Sequence, residues 1–163
     1  MKIKLFFLIF LILGSAEIIH SFPLIQNFDK AVFYQVMKSG GIDEIDGQLS
    51  ILSTSVIKEK EAYEGALLMR KAGVVKKAKE KLSLFKYGRI KLETSIHLDN
   101  DNVEYHFLRL MIQEHAPKIT KYHSQIKEDS QYIRENFKKL PEVVQKVVID
   151  YSKTSKILKP GDF

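Results

Sequence analysis

Residues 98–117, LDNDNVEYHFLRLMIQEHAP, constrain the fold more than any other stretch of the chain. The pattern predicts one helix, with Asp101 as its N-cap, Glu104 completing a capping box three residues later, and Pro117 ending it. Apolar residues cover most of its circumference at about 3.6 residues per turn; they are Val103, Tyr105, Phe107, Leu108, Leu110, Met111 and Ile112. A helix that is apolar nearly all round is normally buried, so we expect this one to be the central helix of the fold.

One narrow polar line interrupts this apolar surface. His106, Arg109 and Gln113 follow one another at the spacing i, i+3, i+7, which places them on one side of the helix. One hypothesis is a groove that binds a small anion or a peptide carboxylate, with the Arg109 guanidinium as the charged fork and the other two side chains as donors. The alternative is an internal ion pair between Arg109 and an acid such as Glu104 or Glu80, which would link parts of the fold.

The N-terminus has the organisation of a secretory signal peptide at 1–16. Lys2 and Lys4 precede an apolar run at 5–13, and Gly14-Ser15-Ala16 supplies the small residues of a cleavage site, so we expect cleavage after Ala16. The run is shorter than the about 20 residues that span a bilayer, although an uncleaved anchor remains the alternative. The sequence therefore predicts export to the periplasm or the extracellular space, with a short lead-in at 17–26.

Cysteine is absent from the chain. Its absence excludes a disulfide scaffold, a thiolate zinc site, a cysteine nucleophile and a lipid anchor attached through cysteine. The mature chain must therefore be held together by its core, and a domain of this length buries about 70% of its unfolded surface.

The rest of the chain predicts further helices and no strand. No stretch shows a sustained period of two, whereas apolar residues recur at helical spacing, as in the stripe Ile42, Ile45, Leu49 and Leu52. The first predicted helix starts at Asn27 or Asp29 and runs to about Ser39. The others lie at about 42–52, 56–71, 74–98, 124–139 and after Pro141, in addition to the central one. Gly40-Gly41 and Gly73 are the expected helix stops, and Gly88 marks a point of close packing or a slight bend.

These elements predict an all-α fold in a single domain. About seven helices joined by short loops favour antiparallel helical hairpins, arranged either as a repeat-like stack or as an irregular bundle. We expect the domain to occupy 27–158 and the segment 159–163 to be a flexible tail.

The strongest charge bias lies between residues 70 and 91. The candidate basic face comprises Arg70, Lys76, Lys77, Lys79, Lys81 and Lys86, and Glu80 is the one acid in this range. In an exported protein, such a face would bind anionic lipid headgroups or other envelope polyanions. The alternative is a solvated helix surface with no ligand. Nucleic acid is disfavoured, because removal of residues 1–16 lowers the formal charge from +6 by two and no aromatic residues are interleaved on this face.

Motifs for catalysis, metals and cofactors are missing. The acidic turn before the central helix fails the EF-hand pattern, because Val103 occupies a ligand position and Glu104 replaces the required glycine. The histidines form no pair at i, i+4 and no HExxH, and neither a Gly-x-Ser-x-Gly nor a phosphate-binding glycine loop occurs. We therefore expect no cofactor and no metal, and an enzyme is not favoured.

Two resemblances add to this interpretation. The junction LETSIHLDNDNVEY at 92–105 resembles the boundary between tetratricopeptide repeats, which implies repeat-like pairing of helices. The segments 64–73, 81–88, 104–117 and 150–158 are similar to an uncharacterised bacterial family of exported helical proteins. That similarity implies export and a single helical domain, and it implies no activity, cofactor or catalytic residue.

Two functions are consistent with the sequence. The first is an exported, non-enzymatic interaction or structural module that holds an unknown protein partner of the cell envelope in a groove beside His106, Arg109 and Gln113. The second is a peripheral binder of anionic envelope components through the basic helix at 70–91.

Overall fold

The computed structural model describes residues 27–163, and this part of the chain is all-α, as predicted. The helices are α1 Lys30–Ser39, α2 Ile42–Thr54, α3 Lys60–Val74, α4 Ala78–Leu98, α5 Val103–His115, α6 Ile126–Asn136 and α7 Glu142–Ser152. Short 3-10 turns lie between α5 and α6 at Lys118–Thr120, between α6 and α7 at Phe137–Lys139, and after α7 at Pro160–Asp162. The predicted signal peptide at 1–16 and lead-in at 17–26 lie outside the described residues. None of the helices between residues 27 and 163 is long and apolar enough to cross a bilayer.

Helix α1 begins and ends where the sequence places the signals. The Asp29 carboxylate accepts hydrogen bonds from the backbone N–H groups of Ala31 at 2.7 Å and Val32 at 3.0 Å. Gly40 ends the helix in the left-handed conformation, with φ 71°, which a residue with a Cβ rarely adopts. This predicted stop is confirmed.

Helices α3 and α4 form a closely packed antiparallel hairpin. Gly65 and Gly88 face each other where the two helices meet, and a Cβ on Gly88 would lie 2.5 Å from the Gly65 carbonyl oxygen. The backbones can approach this closely only because both residues lack a side chain. The expectation of close packing at Gly88 is thus confirmed.

Helix α5 is the buried centre predicted from its sequence. It packs against α3, α4 and α6, and every residue from Val103 to Leu110 is buried, as are Ile112 and Gln113. Its pairing with α6 is antiparallel, since Arg109 contacts Asp129 and Gln113 contacts Gln125. The apolar residues of α5 join those of the other helices in one core.

The start of α5 differs from the prediction. Asn102, rather than Asp101, is the N-cap, and its side-chain oxygen accepts from the Glu104 N–H at 3.1 Å. No capping box forms, because the Glu104 carboxylate turns inward to the hydroxyl groups of Tyr34 and Tyr63. Hydrogen bonds from Tyr34 and Tyr63 therefore replace the capping bond that the spacing of Glu104 predicts.

Two helix boundaries differ from the prediction, and the C-terminal segment contacts the rest of the fold. Helix α3 ends at Val74 rather than at Gly73, with Val75 as its C-cap, and α4 begins at Ala78 rather than at 74. The segment 159–163, predicted as flexible, packs against α6. The Asp162 carboxylate accepts a hydrogen bond from the Arg134 guanidinium at 2.9 Å, and the ring centroids of Phe137 and Phe163 lie 4.6 Å apart.

We expect Gly88→Ala to destabilise the protein by about 1–3 kcal/mol, because the added methyl group would overlap the α3 backbone. Gly47→Ala on α2 is the matched control, since no atom lies within 4 Å of its added Cβ. That control should stabilise the protein by about 0.5–1 kcal/mol through helix propensity. Urea unfolding of the two variants measures both effects, and equal midpoints would contradict the close helix contact.

Candidate functional site

The polar line on α5 does not border an open groove, which corrects the first hypothesis. His106 is 4% exposed, Arg109 is 6% exposed and Gln113 is fully buried. The line faces α6 and the end of α4, so its polar atoms find partners within the chain. The alternative, an internal ion pair, is what the structure contains, although with acids other than Glu104 or Glu80.

Asp129 on α6 is the principal partner of Arg109. The guanidinium donates to both carboxylate oxygens, at 2.8 Å through Nε and 2.6 Å through Nη2, and the carboxylate is fully buried. Nη1 donates to Glu93 of α4 at 3.0 Å, so Arg109 links three helices. Burial alone would lower the pKa of the guanidinium, but the hydrogen bonds and charge of Asp129, helped by Glu93, raise it above its ordinary value.

His106 completes the same cluster. Its Nδ1 lies 2.7 Å from Asp129 and its Nε2 lies 2.8 Å from the Asn100 carbonyl oxygen. Both ring nitrogens therefore contact oxygen atoms, and His106 joins α5 to α6 and to the turn that precedes α5.

Gln113 extends the contact between α5 and α6. Its amide nitrogen donates to the Gln125 side chain at 2.9 Å. Its oxygen is buried and has no hydrogen-bond partner among the described residues. The polar line therefore acts as a link between helices rather than as a set of free ligand groups.

A second buried acid, Glu104, was assigned to capping by the sequence and has another role. Its Oε1 accepts from Tyr34 at 2.9 Å and Tyr63 at 2.7 Å, and its Oε2 pairs with Lys30 at 2.8 Å. Burial, followed by the charge of Glu104, raises the pKa of both tyrosines above the ordinary value. A cleft of about 210 Å³ beside Lys30 leads to this cluster, but the Glu104 carboxylate is already fully paired.

The candidate basic face lies at the corner between α3 and α4 and along the first turns of α4, and Arg70 does not belong to it. Arg70 is not available there, because its Nε donates to the Met37 carbonyl oxygen at the end of α1 at 2.8 Å. The remaining members are all exposed, and none forms an ion pair with another residue in the range 27–163. We call these five residues the basic surface; they are Lys76, Lys77, Lys79, Lys81 and Lys86.

Apolar side chains accompany the basic surface, which sequence reasoning did not find. Leu82 is 71% exposed, Tyr87 63% and Ile90 53%. Lys79, Leu82, Lys86 and Ile90 recur at i, i+3, i+7, i+11 and so follow one side of α4. The helical spacing of Leu82 with Phe85 and Leu92 predicts a buried position for Leu82, and this prediction is wrong, because no helix between residues 27 and 163 covers this part of α4.

The turn at Lys118–Thr120 adds similar residues beside α4. Ile119 is 90% exposed, between exposed Lys118 and Lys121. Tyr122 fixes the turn, because its ring lies 5.7 Å from the Phe85 ring and 4.6 Å from the Arg89 guanidinium, both on α4. Lys121 has a φ of 50°, a left-handed conformation that is unfavourable for a residue with a Cβ.

We expect Asp129→Asn to destabilise the protein by about 3–5 kcal/mol, because it leaves the Arg109 charge buried without its partner. Asp150→Asn breaks an exposed pair with Lys38 and should cost less than about 1 kcal/mol. The free energy of unfolding in urea measures both. A loss below 1 kcal/mol in the first variant would be inconsistent with a structural role for the buried pair.

No group of three or more histidine, aspartate or glutamate side chains among residues 27–163 is arranged to hold a metal ion. Comparison of the chain with protein families, curated proteins and solved structures finds no match. The function must therefore be argued from surfaces of the fold, and the basic surface is the candidate site that remains accessible.

Proposed function

We propose that this protein is a peripheral binder of anionic components of the cell envelope. The single observation that carries the proposal is the basic surface, four exposed lysines at the corner between α3 and α4 and a fifth, Lys86, about two turns further along α4, none with an acidic partner in the range 27–163. Elsewhere in the 70–91 stretch the cations are engaged. Lys71 pairs with Asp46 at 2.5 Å, and Lys91 pairs with Glu61 at 2.5 Å and Glu64 at 2.7 Å.

The position of these lysines is unfavourable for the fold itself. Lys77 is the N-cap of α4 and forms no side-chain capping bond, and Lys79 and Lys81 follow in the first turn. Positive side chains at the positive end of a helix dipole cost up to about 1 kcal/mol each. An anionic ligand would turn this repulsion into attraction, since both the lysines and the helix terminus favour negative charge. Glu80 lies in the same first turn and offsets part of this repulsion, but three lysines outnumber it.

Residues 78–83 are exposed on every side, so the first turns of α4 project from the rest of the fold. A flat, negatively charged surface can reach the basic surface without any rearrangement. Each lysine near an anionic membrane contributes about 1 kcal/mol of attraction, which weakens as salt shortens the Debye length. Several such residues together give binding that depends strongly on ionic strength.

Export is part of the same proposal. The charge and apolar pattern of residues 1–16 favours secretion with cleavage after Ala16, which brings the domain into contact with the periplasmic or outer face of a membrane. Lipid headgroups and acidic envelope polymers are the abundant polyanions there. Nucleic acid is not proposed as a partner.

A second candidate function is protein binding in the envelope by repeat-like helix pairs. It is favoured by one observation, the junction at 92–105 that resembles a tetratricopeptide boundary, with α4 ending at Leu98 and α5 beginning at Val103. The residues first suggested for its groove are buried, so this candidate would need a different surface. Salt-independent binding to an envelope protein would favour it over the proposed function.

We expect replacement of Lys76, Lys77, Lys79 and Lys81 by glutamine to reduce binding to anionic vesicles by more than about tenfold, because the electrostatic attraction is lost. The measurement is co-sedimentation of the full chain with vesicles of equal parts phosphatidylglycerol and phosphatidylcholine, at low and at high salt. The wild-type protein should dissociate as salt rises.

The matched control replaces the same number of exposed lysines elsewhere, namely Lys127, Lys138, Lys139 and Lys156. It carries the same net charge and the same residues 1–26, so any contribution of the apolar run at 5–13 cancels. We expect the control to bind nearly as well as the wild type. Equal losses in the two variants would mean that only net charge matters, and would refute a specific basic surface.

A further inference from the structure

We infer that the ligand of the basic surface is a lipid bilayer, into which α4 and the 118–120 turn insert their exposed apolar side chains. This inference rests on the proposed function and specifies its partner. Its basis is the arrangement of Leu82, Ile90 and Ile119 among lysines, on two neighbouring elements.

The side of α4 that carries Lys79, Leu82, Lys86 and Ile90 has the composition of an interfacial helix. Leucine and isoleucine alternate with lysine along this row, with Leu82 71% exposed and Ile90 53% exposed. Apolar side chains of such a helix enter the boundary between headgroups and acyl chains, while the lysines contact anionic headgroups. Tyr87, 63% exposed on the same helix, is the residue type that favours this boundary.

A second element has the same composition. The turn presents Ile119, 90% exposed, between Lys118 and Lys121, and Tyr122 holds it beside α4 through Phe85 and Arg89. Lys121, at the end of this turn, has an unfavourable left-handed backbone conformation. Such strain is characteristic of functional segments that are held in place by the surrounding structure.

A soluble polyanion would not explain these apolar residues. Phosphate or carboxylate groups bind lysines equally well without Leu82, Ile90 or Ile119, and exposed leucine and isoleucine side chains gain nothing from a hydrated polymer. A bilayer satisfies both parts of the surface, because its headgroups bind the lysines and its acyl region takes up the apolar side chains. Charge and hydrophobicity together favour a membrane.

The chain has no tryptophan, so Leu82→Trp introduces a single fluorescent reporter at an exposed position of the full-length protein. With vesicles of equal parts phosphatidylglycerol and phosphatidylcholine, its emission should shift to the blue and be quenched by lipids brominated in the acyl chain. Ile149→Trp on α7, at a residue 39% exposed, is the matched control and should show neither change. Soluble polyphosphate at the same phosphate concentration should leave the emission of both variants unshifted.

Leu82→Ser tests the energetic contribution of the same side chain. We expect its partition into these vesicles to fall roughly tenfold, the effect of removing one inserted leucine, while binding to polyphosphate is unchanged. Ile149→Ser should alter neither.

Three results separate the two proposals. If vesicles sediment the Leu82→Trp protein but leave its emission unchanged and unquenched, attachment is by charge alone, and the inference of insertion is overturned while the proposed function stands. Partition of Leu82→Ser equal to that of the wild type would have the same meaning. If the wild-type protein binds neither vesicles nor polyphosphate at low salt, the proposed function itself is wrong.

Discussion

The fully buried Asp129 carboxylate, held by Arg109 and His106, is the interaction on which the rest of the structure depends. Burying an unpaired carboxylate is costly, so α5 and α6 can pack only in the register that brings these groups together. Glu93 extends the link to α4, and Tyr122 donates to Glu93 and lies against Phe85 and Arg89. The same network thus positions the turn that carries Ile119.

The two ends of α4 have opposite characters. Its middle is held by the Gly88 contact with α3 and its C-terminal part by the Glu93 pair with Arg109. Its first turns project into solvent with lysines that have no acidic partner between residues 27 and 163. The buried part supplies the stability that an exposed, self-repelling helix terminus lacks. A rigid base with a charged and apolar tip is the arrangement from which we derive membrane binding.

Much of the fold was predictable because α5 is apolar nearly all round. A helix of this kind is buried on every side, so it must lie at the centre of the domain. Two features depended on tertiary register and were not predictable. The sequence analysis did not single out Asp129, because a lone acid near the start of α6 does not reveal its partner, and only the packing of α6 against α5 brings it to Arg109. Glu104 has the spacing of a capping residue, but two tyrosines from α1 and α3 take up its carboxylate.

The candidate site was predictable in part for the same reason. Lysine density identified the 70–91 stretch, but local sequence does not reveal that Arg70 reaches the end of α1 and Lys91 pairs with α3. Nor does it reveal that Leu82, Tyr87 and Ile90 are exposed with no helix of the 27–163 range packed on them, since their spacing also fits a buried position. The Ile119 turn gave no signal, because exposure of a single isoleucine is decided by how Tyr122 docks.

The central claim is that α5 is a structural element and that function belongs to the exposed part of α4. Amide hydrogen exchange of the wild-type chain, with and without anionic vesicles, tests it directly. We predict that α5 exchanges slowly in both conditions, that residues 78–87 exchange quickly in the free protein, and that vesicles slow exchange at 78–87 and 118–121 alone. Vesicle-dependent protection in α5, or none in α4, would contradict the account.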